Sequence, residues 1–127
     1  MSHYHAVVWI DHLKASIWQV TATDQQHSVV HAHSHHGHGD EGKHTKAHHE
    51  LADYRFFDET AKALAGAHEI LVIGPAQTKH DFVAYLTQKH AALAKLIVAV
   101  ETADHPTDKQ IVAYARKHFS VLDKMLP

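Results

Sequence analysis

Histidine supplies eight of the twenty side chains in residues 31–50, H-A-H-S-H-H-G-H-G-D-E-G-K-H-T-K-A-H-H-E. Neutral imidazole is a ligand for zinc, nickel and copper, and the affinity of nitrogen sites generally rises toward copper. We therefore predict that this stretch binds zinc or nickel, although the protein requires no cofactor. The candidate ligands are His31, His33, His35, His36, His38, His44, His48 and His49.

The spacing of these histidines allows two ligand geometries. In an extended chain His31, His33 and His35 point to one face, in steps of about 7 Å. In a helix His44 and His48 lie one turn apart, as do His27 and His31. Further ligands could come from Asp40, Glu41 or Glu50. The spacing is not that of a known zinc motif such as H-E-x-x-H, so a solvated loop and a pH-responsive anion patch stay open as alternatives.

The bulk composition sets limits on function. The chain has 127 residues, enough for one domain with a real core, and 45% of them are hydrophobic. It has no cysteine, which excludes disulfides, cysteine-type zinc fingers and thiol catalysis. The formal net charge is -2 with neutral histidines, which argues against tight binding of nucleic acid through lysine and arginine alone. Protonation of the 17 histidines would make the charge strongly positive.

No targeting or membrane segment is expected. The start, M-S-H-Y-H-A-V-V-W-I-D, lacks the basic and apolar regions of a signal peptide. No apolar run reaches the ~18 residues needed to cross a bilayer. We therefore expect a cytoplasmic protein without a membrane partner.

The pattern of apolar residues predicts the elements that carry these side chains. Strands are expected at 5–11, 15–22 and 27–33, at 69–75 including its closing Gly-Pro pair, and at 96–100. Residues 36–50 are expected to form a loop. The first helix is expected to begin near Asp53 and to end at Gly66. Thr78 is expected to cap the second helix. Thr107 and Gln110 have the spacing of a capping box at the start of the third. The residues expected to face inward are Tyr54, Phe57, Ala61, Leu64, Ala65, Phe82, Val83, Leu86, His90, Ile111, Tyr114, Ala115, His118 and Phe119.

The order βββ-α-β-α-β-α indicates an α/β fold, a mixed five-stranded sheet covered by helices. This is the ribonuclease H-like arrangement. We predict a single domain over residues 1–127 with a histidine-rich insert at about 31–50.

Three blocks of the sequence resemble a bacterial family known as translational machinery proteins. They are A-V-V-W-I-D-H-L-K-A, E-I-L-V-I-G-P-A-Q-T-K-H-D-F and V-E-T-A-D-H-P-T-D-K-Q-I-V-A-Y-A-R. Residues 73–82, I-G-P-A-Q-T-K-H-D-F, are also similar to a block in the central domain of archaeal and eukaryotic peptide-chain release factors and of Pelota. That domain is ribonuclease H-like, so the resemblance implies the same fold.

The resemblance implies a role beside the ribosome, with one clear departure. Release factors need a Gly-Gly-Gln tripeptide, and this sequence has none. We therefore expect a non-catalytic protein that binds ribosome or tRNA, and the expected RNA contacts are Lys79, His105, Arg116 and Lys117. The sequence leaves open whether the protein forms a homodimer.

The sequence offers two further candidate sites. Asp11 ends the first strand, where ribonuclease H-type nucleases hold a metal, with Glu50, Asp53, Glu101 and Asp104 as candidate partners; the alternative is a turn aspartate. Gln77, Lys79, Asp104 and His105 follow two parallel strands and could line one cleft, where ligands often bind in open α/β sheets. Helix capping and chain turning explain the same residues.

Overall fold

One mixed sheet forms the centre of the protein. In this computed structural model, residues 4–21, 23–32 and 46–125 are described, with only the backbone for 46–53 and 120–125. The strands are β1 (Tyr4–Ile10), β2 (Lys14–Val20), β3 (Gln25–His31), β4 (Ala67–Gly74) and β5 (Ile97–Thr102). They lie in the order β3-β2-β1-β4-β5. The predicted fold class, a mixed five-stranded α/β sheet, is confirmed.

Strand directions define two opposite edges of this sheet. β1 is parallel to β4, and β4 is parallel to β5, whereas β2 runs antiparallel to both β1 and β3. The carboxyl ends of β1, β4 and β5 therefore meet at one edge, here called the carboxyl edge. The opposite edge is called the amino edge. As predicted, the apolar strand β4 lies between two parallel neighbours, where both of its faces are covered.

Four helices follow the strands: α1 (Lys46–Ala63), α2 (Thr78–Lys89), the short α3 (Ala91–Ala94) and α4 (Asp108–Met125). α1 begins earlier than the predicted position near Asp53, so residues 46–50 belong to a helix and not to the insert. α3 was not predicted, because four residues are too few to show a helical period. No helix in the described part of the chain is long and apolar enough to span a membrane.

Two apolar clusters, one on each face of the sheet, make up the core. α1 and α2 cover one face with Phe56, Phe57, Phe82 and Leu86, which pack against Val8 and its neighbours. α4 covers the other face, where Ile111, Val112, Ala115 and Phe119 pack against side chains that include Trp9 and Trp18. Each buried aromatic or aliphatic side chain of this kind contributes about 1.5–3 kcal/mol through burial alone.

Several local predictions need correction, and one is that Ala65 is exposed and does not face inward. Thr78 is the first residue of α2, and the N-cap position belongs to Gln77, whose side chain makes no capping bond. Tyr114 is 37% exposed, because Val112 takes the inward position beside Ile111. Tyr54 is 41% exposed and lies on the outer side of α1.

Two glycines are required by the backbone geometry. Gly66 ends the first helical segment with a φ of 90°, which an L side chain adopts only with strain. Gly74 ends β4 directly against β1, so that a Cβ at this position would collide with the carbonyl oxygen of Ile10. Gly74 therefore allows the close approach of β1 and β4 at the carboxyl edge.

Candidate functional site

A hollow of about 210 Å³ opens at the carboxyl edge, on the face of the sheet that α4 covers. We call it the carboxyl-edge pocket. Strands β1 and β2, the segment that follows β5, and the first turns of α4 all contribute to it. Its lining residues are Trp9, Asp11, Lys14, Ser16, Trp18, His105, Pro106, Asp108 and Ile111.

Trp9 anchors the segment after β5 to the sheet. Its indole Nε1 donates to the carbonyl oxygens of Ala103 and Asp104, at 3.2 and 3.1 Å. The ring of His105 lies above it, with the two ring centroids 5.4 Å apart. Trp9 is only 4% exposed, and its buried ring packs against His105 at the rim of the pocket.

The predicted capping box fixes the other wall. The backbone N–H of Thr107 donates to Gln110 Oε1 at 2.8 Å, and the N–H of Gln110 donates to Thr107 Oγ1 at 3.2 Å. These bonds satisfy two donors that a helix start leaves open, and they set where α4 begins. Asp108, in the first turn of α4, therefore has a defined place at the pocket.

Asp11 has a structural role in the turn between β1 and β2. Its Oδ1 accepts the backbone N–H groups of Leu13 at 2.8 Å and Lys14 at 2.9 Å. The turn interpretation of Asp11 is thus confirmed. In the described ranges no group of three or more histidines, aspartates and glutamates is placed to hold a metal, and the side chains of Glu50 and Asp53 lie outside what is described.

The pocket is suited to hold a small polar group. Its volume is below the ~300–1,000 Å³ typical of sites for whole drug-sized ligands. Lys14 brings a positive charge to it, and Asp11 and Asp108 bring carboxylates. His105 Nε2 lies 3.8 Å from Asp104 Oδ1, beyond hydrogen-bond range, and both side chains are strongly exposed. The geometry favours binding over acid–base catalysis by this pair.

Lys79 lies at the carboxyl edge, as predicted, but on the α2 side and not in the pocket. Its side chain is 4% exposed, and its Nζ donates to the carbonyl oxygen of Ala76 at 2.5 Å. Contact with an RNA phosphate would require this side chain to turn outward. Gln77 is exposed nearby, and its amide lies 3.4 Å from Asp81 Oδ1.

Arg116 and Lys117 lie farther along α4, away from Lys79 and His105. The Arg116 guanidinium donates to the carbonyl oxygens of Thr21 and Asp24, at 2.9 and 3.2 Å, and to Gln25 Oε1 at 3.2 Å. These acceptors surround the β2–β3 turn at the amino edge. Lys117 is exposed. The four predicted RNA contacts therefore do not form one surface.

The predicted metal ligands lie almost entirely outside what the structure describes. His31 is exposed at the last position of β3. His33, His35, His36, His38 and His44 fall outside the described residues, and only the backbone is described for His48 and His49, within α1. Zinc or nickel binding by this stretch stays a prediction.

A hydrogen-bonded cluster between α1 and α2 was missed in the sequence. Asp58 Oδ1 accepts from the Tyr85 hydroxyl at 2.7 Å and lies 2.8 Å from His90 Nε2. Burial raises the pKa of Asp58, but the hydrogen bonds from His90 and Tyr85 and the charges of His90 and Lys62 outweigh it and hold the pKa below its usual value. Burial and then Asp58 raise the pKa of Tyr85 to about 12. No spacing rule links residues so far apart in sequence.

Comparison with known proteins shows which fold this is. No family model matches the chain, and no curated protein sequence matches it. Among solved structures, Pelota from Archaeoglobus fulgidus aligns with a TM-score of 0.63 at 14% identity, over 91% of this chain and 31% of its own. The archaeal translation termination factor aRF1 gives a TM-score of 0.61 at 12% identity, over 95% and 39%.

Pelota from Thermoplasma acidophilum aligns in the same way, with a TM-score of 0.58 at 16% identity, over 96% and 39%. This chain folds like part of Pelota and aRF1. It spans 31–39% of the length of these three proteins. Residues 73–82 form the junction of β4 and α2, where Gly74 packs against β1 and Lys79 is buried.

Proposed function

We propose that this protein acts in translation, as a non-catalytic protein that binds the ribosome or tRNA. The observation that carries the proposal is the likeness of its fold, over 91–95% of the chain, to Pelota and to an archaeal translation termination factor. A similar fold would give it a comparable body for work in translation.

Two features of the sequence support this role. The block at 73–82 resembles release factors and Pelota, and two other blocks add a resemblance to the bacterial translational machinery proteins. The sequence has no Gly-Gly-Gln tripeptide, so peptide release is not part of the proposal. The proposed activity is therefore binding of the ribosome or tRNA without hydrolysis of a peptidyl bond.

We assign the RNA-contacting surface to the carboxyl edge. Lys14 and His105 are exposed at the rim of the pocket there. The N–H of Ala32 donates to Leu13 at this edge, so β3 ends there. α1 ends at the amino edge, where Gln19 Nε2 donates to Ala63, and its beginning therefore points to the carboxyl edge. β3 thus ends, and α1 begins, at the carboxyl edge.

The charge of this surface makes binding depend on conditions. Histidine ordinarily titrates near pH ~6.5, so mild acidification adds positive charge to a protein that has 17 histidines. Each phosphate contact made by a cation also makes affinity fall as salt rises. We expect ribosome or tRNA binding to be stronger at pH 6 than at pH 8, and stronger at low salt.

Co-sedimentation with ribosomes tests the proposal, and gel shift with purified tRNA tells the two RNAs apart. Wild type is compared at about 50 and 200 mM salt with a Lys14→Glu, His105→Ala double variant. Lys95→Glu provides the charge-matched control, because Lys95 is exposed just before β5 at the amino edge. The double variant is expected to lose most binding, and Lys95→Glu to keep it. Absence of association with both RNAs at low salt would contradict the proposed function.

A further inference from the structure

Strand β3 forms one end of the sheet, and the described part of the chain places no strand on its outer side. It pairs with β2 along its whole length. All its residues except Val30 are exposed. An edge of this kind presents a row of backbone donors and acceptors that another strand can use.

The pairing with β2 shows which backbone groups face outward. The N–H of Ala32 donates to the carbonyl oxygen of Leu13, and the N–H of Thr21 donates to the carbonyl oxygen of Asp24. Starting from these two pairs, hydrogen-bonded and non-hydrogen-bonded pairs alternate along β2 and β3. Gln26, Ser28 and Val30 therefore bond inward to β2. The N–H and C=O groups of Gln25, His27, Val29 and His31 point away from the sheet.

The chemistry of β3 lacks the features that usually protect an edge. Its sequence, Q-Q-H-S-V-V-H, has no lysine, arginine, aspartate, glutamate or proline. Natural proteins place such residues on exposed edges to prevent pairing. The other end of the sheet, β5, is less exposed and carries a charged residue, Glu101.

We propose that β3 is a homodimer interface, in which two copies of this chain pair their β3 strands antiparallel about a two-fold axis at Ser28. Full overlap of the two strands places Gln25 opposite His31 of the second copy and His27 opposite Val29. All four outward-facing residues then form hydrogen-bonded pairs in each copy. No two ionisable side chains oppose each other, so like-charge repulsion does not prevent the pairing, and the outward donors and acceptors of one copy match those of the other.

The two-fold axis fixes the distance between the Cα atoms of Ser28 in the two copies, and a different partner would not reproduce this contact. Ser28 and its copy form a non-hydrogen-bonded antiparallel pair, for which Cα atoms lie about 4.5 Å apart. Disulfides accept Cα separations of roughly 4.4–6.8 Å. Because the protein has no cysteine of its own, a Ser28→Cys variant reports on this contact alone. The contact area of two strands is small, so the dimer is expected to be weak.

Sedimentation equilibrium tests self-association over concentrations from about 5 to 500 µM, a range suited to a weak dimer. Wild type is expected to approach the mass of two chains at the upper end. Val29→Pro removes an outward N–H that β2 does not use, and it is expected to stay monomeric with an unchanged circular dichroism spectrum. Val29→Thr keeps the N–H and the β-branched shape and should dimerise as wild type does.

Cross-linking keeps the test independent of the proline variant. Under mild oxidation Ser28→Cys is expected to form a disulfide-linked dimer far faster than Leu13→Cys, whose side chain at the carboxyl edge is 62% exposed. A wild type that stays monomeric at every concentration would overturn the proposal, and so would equal cross-linking of the two cysteine variants. A monomer that captures an extended peptide along β3 would assign this edge to a different partner and would also overturn it.

Discussion

The Tyr85 hydroxyl donates a 2.7 Å hydrogen bond to Asp58 Oδ1, and this bond links α2 to α1 across the outside of the core. His90, at the end of α2, approaches the same carboxylate oxygen at 2.8 Å. The ring of Tyr54 stacks on Tyr85, with centroids 4.9 Å apart. The two helices that cover one face of the sheet are therefore joined by polar and aromatic contacts as well as by the apolar core.

The first prediction concerns the pH dependence of stability through Asp58. Its pKa is lower in the folded protein than in the unfolded chain, so its contribution is present above the ordinary carboxyl range and is lost as pH falls through the folded pKa. Asp58→Asn should be less stable than wild type near neutral pH, and the difference should shrink below pH ~4. Because the side chain of Asp58 is 48% exposed, the loss should be modest, under about 1 kcal/mol.

Urea unfolding from about pH 3 to pH 7 measures this difference. Asp81→Asn provides the control, since Asp81 is exposed on α2 and takes no part in the bonds to Tyr85 and His90. A stability gap for Asp58→Asn that stayed constant with pH would show that the loss comes from something other than the carboxylate charge.

The second prediction concerns Gly74, where β4 touches β1. Gly74→Ala places a methyl group against the carbonyl oxygen of Ile10, a backbone atom that cannot turn away. Stability should fall by ~3 kcal/mol, in the range of severe overpacking. Gly66→Ala is the informative comparison, because its Cβ would meet only the ring of Tyr4 at ordinary contact distance and the cost comes from its φ of 90°. Thermal or urea unfolding should rank Gly74→Ala as the more damaging change.

Much of the fold could be predicted because the relevant signals are local. The apolar run of β1 and the Gly-Pro pair after β4 mark buried strands, and Thr107 with Gln110 marks a helix start that the hydrogen bonds reproduce. The start of α1 was placed too late, because residues 46–53 are mostly polar and carry little helical periodicity. Tyr54 was placed in the core because residue spacing alone cannot show that an aromatic ring stacks on a second tyrosine at the surface.

The sequence predicted where the candidate site lies but not which residues line it. His105 was assigned to the carboxyl edge from the strand order, and it lies there beside Trp9. The participation of Lys14, Trp9 and Trp18 depends on antiparallel pairing between β1 and β2, which brings their side chains to one face. Residue type alone predicts Lys79 and Arg116 as RNA contacts, and it does not show that Lys79 is buried or that Arg116 donates to the carbonyl oxygen of Thr21.

The third prediction separates that structural role of Arg116 from binding. Arg116→Ala removes hydrogen bonds to Thr21, Asp24 and Gln25 and should cost about 1–2 kcal/mol of stability. Arg116→Lys should recover little, because a single ammonium does not reproduce the guanidinium fork. Under conditions where both variants are folded, ribosome co-sedimentation should match wild type. Loss of binding in folded Arg116→Ala would place the RNA surface at the amino edge instead.

The fourth prediction concerns the capping box of α4. Thr107→Ala removes the hydroxyl that accepts the N–H of Gln110, and it should lower stability by ~1 kcal/mol. Thr107→Ser keeps the hydroxyl and should lie close to wild type. The same urea unfolding measurement applies. Equal losses in the two variants would mean that the threonine methyl group, and not the cap, supplies the stability.

The fifth prediction concerns metal binding by the histidine-rich stretch. His31 belongs to β3 and residues 46–49 to α1, so deletion of residues 31–49 would remove parts of two elements along with the ligands. Replacing His33, His35, His36, His38 and His44 with glutamine spares both elements. Because imidazole nitrogen is the expected ligand, nickel affinity measured by calorimetry on protein purified without a metal column should fall at least tenfold. Replacing His12, His80 and His105, which are exposed and lie outside the histidine-rich stretch, should leave it unchanged. If the second set lowers affinity as much as the first, the metal is bound by scattered surface histidines and the stretch has no special role.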